Sequence, residues 1–559
     1  MKINRTLEQH RQYMNQFFDK VTVQNILTCF LTVVMILRFS LAPAHAETQV
    51  GGNITEDTIW TLAGSPYIVT NSITVRSSES DGSTPVLTVN PGVTVKFSPA
   101  TSLTVGYRSY SGALSAEGAA DSPITFTSAA DTPAPGDWYG IHFNSATDAE
   151  STLLEHCVIE YGGKSYGNIN TYGSPTVKNC TVRNSGNWGV YIRSGSLPVI
   201  SDNVLTGNKK SAVFSYPEGL KNVTGNSGSE NGKDHIEVSG DVRSDITWKK
   251  QPLPYGISAS VTIWNSEAGS TATLTLEPGI ELGFEKNTGI YIAYSYPGAL
   301  SAQGTADSPI TFTSAAEPPA PGDWYGIHFR DKTDDSLTVL ENCVVEYAYN
   351  GLYYSSASPA VKNNTIRYSS AYPVSMDPET NNIRDNNCSG NGSGDAIAVR
   401  GGTLGSDTVW QKNNVPYLIT DSITIRSSES EGSAPSLTVN PGVTVKFSPA
   451  TSLTVGYRSY SGALSAEGTA DSPITFTSAA DTPAPGDWHG IHFNSATDAE
   501  STVIERCVIE YGGSSYGNIN IYGSPAGSRS RETCGKTFKT GKANDLRKAA
   551  KCARSPDRQ

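Results

Sequence analysis

The side chains best equipped for chemistry sit together in one phrase. PAPGDWYGIHF, Pro133 to Phe143, brings Asp137, Trp138, Tyr139 and His142 close in sequence. An aspartate and a histidine are the pair used for general acid–base work. The phrase returns unchanged at Pro319 to Phe329, and at Pro483 to Phe493 with His489 replacing the tyrosine. Solenoid scaffolds repeat their structural corners, whereas a catalytic site is usually built once. Ile141 and Phe143 flank His142 in a period of two, so the histidine takes the outer side of a strand. Asp137 suits a turn, where it bonds nearby amides, and Trp138 suits the cover of a coil corner. The same holds for Asp323, Trp324 and His328, and for Asp487, Trp488 and His492. Repetition favours a structural corner over an acid–base pair.

Other residues invite chemical readings. His489 and His492 stand three apart, a metal-binding spacing on a helix, but on a strand they point to opposite faces. Cys157 and Cys180 hold equivalent positions in neighbouring repeats, open to a disulfide or to two stacked buried thiols. Tyrosines gather in GYRSYSG (Tyr107, Tyr110), AYSYPG (Tyr294, Tyr296) and GYRSYSG again (Tyr457, Tyr460). Exposed, they would stack on sugar rings; buried, they would pack coil on coil.

The elements that position these residues repeat. Three long blocks open at Trp60, Trp248 and Trp410, and Leu87 to Gly118 is identical to Leu437 to Gly468. Apolar residues alternate in short runs, as in Val93, Val95 and Phe97, with Gly, Pro, Asn and Asp between them. That predicts short strands and turns. A finer period underlies the blocks: apolar-x-x-Cys/Asn-x-apolar. It appears at Leu154/Cys157/Ile159, Val177/Cys180/Val182 and Ile200/Asn203/Leu205, continues at Val223/Asn226, and each step is 23 residues. The second block repeats it at Leu340/Cys343/Val345, Val361/Asn364/Ile366 and Ile383/Asn386/Cys388, with steps of 21 and 22. A coil of about 22 residues buries its apolar face only by stacking on its neighbours in parallel sheets. The slot filled by Cys157, Cys180, Asn203, Asn226, Cys343, Asn364 and Asn386 then forms a ladder in which each side chain bonds the next coil.

With these coils (VKNCTV, ISDNVL, VKNNTI) and the block phrases PGVTVKF, GALSAEG and GDWYGIHF, the chain resembles the secreted bacterial right-handed parallel β-helix repeat proteins of the pectate-lyase-like superfamily. The resemblance implies an all-β, right-handed parallel β-helix of ~22-residue coils in three homologous blocks. It also opens an alternative activity, that of a carbohydrate-active enzyme: a polysaccharide lyase, hydrolase or epimerase. The carboxylate and basic constellations of pectin-cleaving relatives are not found in this sequence. The place for a unique site is the segment between blocks one and two, with Asp234, His235, Glu237, Asp241 and Arg243.

The ends and the charge set the context. Lys2, Arg5, Arg11 and Lys20, the apolar run Ile26 to Leu37, and Ala44-His45-Ala46 read as an export signal over residues 1–46. The blocks then occupy 47–240, 241–400 and 401–525, the last incomplete. Residues 526–559 form a basic, unpatterned tail, disordered or out of frame. Between Glu47 and Pro525 there are 26 Lys and Arg against 48 Asp and Glu, a net of −22. Such a body repels phosphate backbones, so nucleic acid is not an expected partner. Eight cysteines in 559 residues, with no CxxC, indicate no zinc site. No cofactor is indicated, although calcium stays open. The expectation is an exported, extracellular or surface-bound rod (periplasm or outer-membrane surface included), without a membrane span after the signal. Its role would be structural, adhesive or glycan-binding and non-catalytic, with an extracellular glycan or surface protein as partner. Oligomeric state is left open.

Overall fold

The computed structural model describes Arg11, residues 47–79, 82–430 and 432–522, and the backbone of Phe538–Lys539. The export-signal reading and most of the tail lie outside the described residues. Phe538–Lys539 alone is placed, antiparallel to Val503–Glu505.

Each coil runs through three short strands, one per face. In one coil these are Thr176–Lys178, Thr181–Arg183 and Trp188–Ile192. Within a sheet a strand pairs in parallel with its counterparts one coil before and one coil after, so Val177 lies between Leu154 and Ile200, and Val182 faces Leu205. Alternate side chains point inward, giving a continuous core of Val, Ile, Leu and Phe. Thr48–Ile54 pairs with Tyr67–Val75, a long strand that bends across two faces of the first block.

The coils are not uniform. Leu154 to Val177 is a step of 23, as the sequence period requires, and the later coils of block two step by 21 and 22. The earlier coils are longer: Trp60 faces Val89, 29 residues on, and Ala116 faces Leu154, 38 residues on. The longest step, Ala116 to Leu154, holds the GDWYGIHF segment, so the 22-residue coil describes only part of each block.

Two corners per coil share one device. After the first face comes a single residue in the left-handed region: His156 (φ 48), Asn179 (φ 53), Asp202 (φ 56) and Gly225 (φ 67) in block one. Asn, Asp and Gly tolerate this conformation best. The next residue is the ladder slot. The Cys157 amide donates to Cys180 Sγ at 3.3 Å, the Cys180 amide to Asn203 Oδ1 at 2.9 Å, and the Asn203 amide to Asn226 Oδ1 at 3.1 Å. In block two the Cys343 amide donates to Asn364 Oδ1 at 2.9 Å and the Asn364 amide to Asn386 Oδ1 at 3.1 Å. That ladder crosses into block three through Asn413, 3.3 Å from the Asn386 amide. Cys157 and Cys180 are free, buried thiols, not a disulfide.

A second ladder follows the second face, in a slot that lacks the flanking apolar pair of the first. Ser185 donates its amide to Asn208 Oδ1 at 3.0 Å and Asn208 to Asn231 Oδ1 at 3.1 Å, and Asp234 Oδ1 closes the row at 2.9 Å from the Asn231 amide. Ser369, Asn391 and Asp395 repeat it in block two.

Trp138 reaches its corner from the core side, through the residue before Tyr161 (φ 61). It is fully buried, stacked on Phe97 at 3.9 Å, with Nε1 donating to the Glu160 carbonyl at 2.9 Å. Trp324 on Phe284 and Trp488 on Phe447 do the same. The indole fills the wide coil while satisfying its polar atom. Asp137 accepts from Ser128 Oγ at 2.6 Å and the Ala134 amide at 2.9 Å, holding the turn shut.

At each block junction the sheets advance by one face. Lys233–Val238, a third-face strand of block one, pairs with Tyr255–Ile257, a second-face strand of block two. Ile397–Val399 pairs likewise with Tyr417–Ile419 of block three. Ile141–Phe143, Ile327–Phe329 and Gly490–Asn494 consequently belong to three different sheets. Equivalent residues of successive blocks therefore look out on different sides of the rod.

Candidate functional site

The tyrosines expected to touch sugars sit at the corner after the third face of the early coils. Tyr107 and Tyr110 form an antiparallel bridge, as do Tyr457 and Tyr460. An arginine lies over each ring: Arg108 and Arg76 in block one, Arg458 and Arg426 in block three, at 5.1–5.4 Å. In block two Tyr296 stacks on Trp264 at 5.3 Å, and Arg330 covers Tyr294 at 4.7 Å. Tyr294 is 62% exposed. Because of the one-face advance, these corners do not line up into one surface.

A denser aromatic surface occupies the outer third face of block one, on the late coils. Tyr191 faces Phe214 across the ladder, and the rings stack at 4.6 Å, 5° from parallel. Trp188 leans on both, 4.8 Å from Tyr191 and 5.3 Å from Phe214. Tyr166 extends the row on one side and Tyr216 on the other. Arg193 lies over Tyr166, Tyr191 and Tyr172 at 4.1, 4.9 and 4.6 Å, and Lys210 lies over Trp188 at 3.7 Å. Arg193 Nε and Nη2 have no hydrogen-bond partner. Among the described residues neither Arg193 nor Lys210 joins an ion pair, whereas Lys178 and Arg183 pair with Glu155 and Glu160. The strip thus holds two cations balanced by ring faces rather than by carboxylates.

The sequence carried a signal for it that composition averages hid. Tyr161 to Lys210 contains six Lys and Arg and one acidic residue, Asp202, in an otherwise acidic chain. Trp188, Tyr191 and Phe214 also break the small-polar habit of the outer face.

The unique inter-block residues do not meet at one point. Asp234 closes the second ladder. Glu237 accepts from Trp188 Nε1 and Ser211 Oγ, both at 2.8 Å, at the edge of the strip. His235 Nε2 is 3.3 Å from Ser211 Oγ, its ring packed against Gly256, and burial lowers its pKa. Asp241 pairs with Arg243 at the next corner, 3.2 Å apart. His142, below the strip, also has its pKa lowered, by burial first and by Arg193.

The adjacent Asp334 and Asp335 have structural partners: Asp334 holds its own turn, accepting from Ser336 Oγ at 2.6 Å, and Asp335 links to the next coil, accepting from the Ser358 amide at 2.9 Å. His489 Nδ1 meets Ser514 Oγ, and His492 packs near Tyr522 at 5.9 Å. Among the described residues no group of three or more His, Cys, Asp or Glu is arranged to hold a metal ion, and no helix is long and apolar enough to cross a membrane.

Comparison with known proteins agrees with this architecture. A right-handed β-helix region matches residues 136–248. The pectate-lyase-like β-helix domain matches residues 52–187, 240–384 and 402–520, most of the chain. No curated protein and no solved structure matches it. Three parallel faces, two corner ladders and these matches place the chain in the pectate-lyase-like β-helix family.

Proposed function

We propose that the protein is an exported, non-catalytic rod that binds acid-bearing glycans at or beyond the cell surface through the block-one strip. The observation that carries this reading is Arg193, a guanidinium held among three tyrosine rings and joining no ion pair among the described residues. Tyr166 and Tyr172, 37% and 44% exposed, offer flat apolar area to sugar faces, the stacked Tyr191 and Phe214 support that row at 8% exposure, and Arg193 and Lys210 offer charge to the acid groups. Polysaccharide cleavage is the second reading, and Glu237 is the observation in its favour. Its carboxylate is engaged by Trp188 and Ser211, whereas a glycosidase needs a pair of carboxyl groups flanking the scissile bond.

The test is an array of acidic and neutral oligosaccharides probed with the full chain, with product analysis on the same samples. Acidic sugars should bind without new reducing ends or unsaturated products. Arg193→Gln and Tyr191→Ala should each weaken binding about tenfold, the loss of one good contact of ~1.4 kcal/mol. Wild-type affinity in Arg193→Gln would remove the strip from the binding site. Product formation would favour the cleavage reading.

A further inference from the structure

Block two carries a second strip, built of the same chemistry on a different side of the rod. Tyr291, His328 and Tyr353 are register partners on three consecutive coils. The Tyr291 ring is tilted 39° against His328 at 4.8 Å, and His328 stacks on Tyr353 at 5.1 Å. Arg330 lies over Tyr291 and Tyr294 at 5.3 and 4.7 Å, and among the described residues it joins no ion pair. Arg330 Nε is also without a hydrogen-bond partner. Arg330 thus stands to Tyr291 and Tyr294 as Arg193 stands to its tyrosines.

The two strips cannot share one straight ligand. The block-one strip lies in the 20-stranded sheet, which continues into block two as Tyr255–Ile257, Glu281–Phe284, Ile310–Ser314 and Cys343–Glu346. A polymer following that sheet passes the outer positions Gly256, Gly283 and Thr313, then the Glu346–Arg367 ion pair. The stacked rings on that path are one corner pair, Tyr347 on Tyr368 at 5.4 Å, and the arginine over Tyr368, Arg367, is already neutralised by Glu346. Tyr291, His328 and Tyr353 stand instead in the 10-stranded sheet, on the neighbouring side.

We infer that the rod is bivalent: the two strips bind two separate acidic glycan chains, and the one-face advance at the block junction makes the protein a cross-linker rather than a single-track binder. This rests on the glycan reading of the block-one strip. Two weak sites engaged on one polymer network raise avidity well above either alone.

The experiment is calorimetric titration of the full chain with an oligoalginate hexamer and, separately, a heparin hexasaccharide. A second readout is bridging of beads coated with the longer polymers. Two ligands per chain are expected. Arg330→Gln and Tyr353→Ala should each reduce the count to one and abolish bridging while leaving block-one affinity unchanged. Arg193→Gln should leave only the block-two site. Arg330→Gln alters an outer-face side chain, and an unchanged melting curve would confirm that it folds. One ligand per chain, lost in Arg193→Gln and untouched in Arg330→Gln, would overturn bivalency and leave the proposed function standing. Absence of any binding to wild type would overturn both.

Discussion

Asn364 shows how much one side chain is asked to do. Its Oδ1 accepts the Cys343 amide, and its Nδ2 donates to the Leu340 carbonyl at 2.9 Å and to Asn386 Oδ1 at 2.9 Å, all at 1% exposure. Leaving a buried backbone amide unpaired costs about 1–3 kcal/mol. Asn364→Ala should therefore destabilise the protein by about that amount and speed hydrogen exchange at the Cys343 amide. Asn364→Cys should cost less, because the protein already uses a thiol there: Cys180 Sγ accepts the Cys157 amide. Equal loss in both variants would mean that slot volume, not the bond to the amide, stabilises the corner. At Cys343 burial pushes the thiol up to about 12, which keeps it protonated and a poor nucleophile.

The GIHF strand shows what repetition preserves and what it leaves free. Its core residues, such as Ile327 and Phe329, are fixed, while the outer histidine meets whatever the neighbouring coils supply: Asn170 for His142, and Tyr291 and Tyr353 for His328. Burial, the largest cause, lowers His328 from an ordinary 6.5 to about 4. The folded protein therefore keeps this imidazole neutral where the unfolded chain protonates it. Above pH 6.5 the group contributes no pH dependence, and its contribution to stability is lost as pH falls from 6.5 through about 4. The urea midpoint should drop across that window, and His328→Gln should flatten part of the drop. An equally steep profile in His328→Gln would assign the effect to other groups. The faces, the first ladder and the three blocks were legible because period two and the Cys/Asn slot are local patterns that recur. The second ladder was equally periodic at Ser185, Asn208 and Asn231, but Ser and Asn read as turn residues without the flanking apolar pair. The strips were not legible as sites. They depend on which outer residues of different coils come into register, and the one-face advance at each junction has no sequence signature of its own.

The rod as a whole works against the ligand its strips are proposed to hold. Glu47 to Pro525 carries a net of −22, yet Tyr161 to Lys210 is a basic island within it. An approaching acidic chain meets the field of the body at long range and the cations of the strip at contact range. Salt acts on these differently, because the screening length shrinks from roughly 30 Å at 0.01 M to roughly 8 Å at 0.15 M. The long-range repulsion is screened first, while Arg193 and Lys210, set over ring faces, still act across a few ångströms. The association rate for an acidic oligosaccharide should thus rise as salt increases to about 0.15 M, and affinity should fall only at higher salt, when the contacts themselves weaken. Stopped-flow binding across this range measures both. A rate falling steadily from the lowest salt would mean that the basic island governs the approach as well as the contact, and the acidic body would then have no part in selecting the partner.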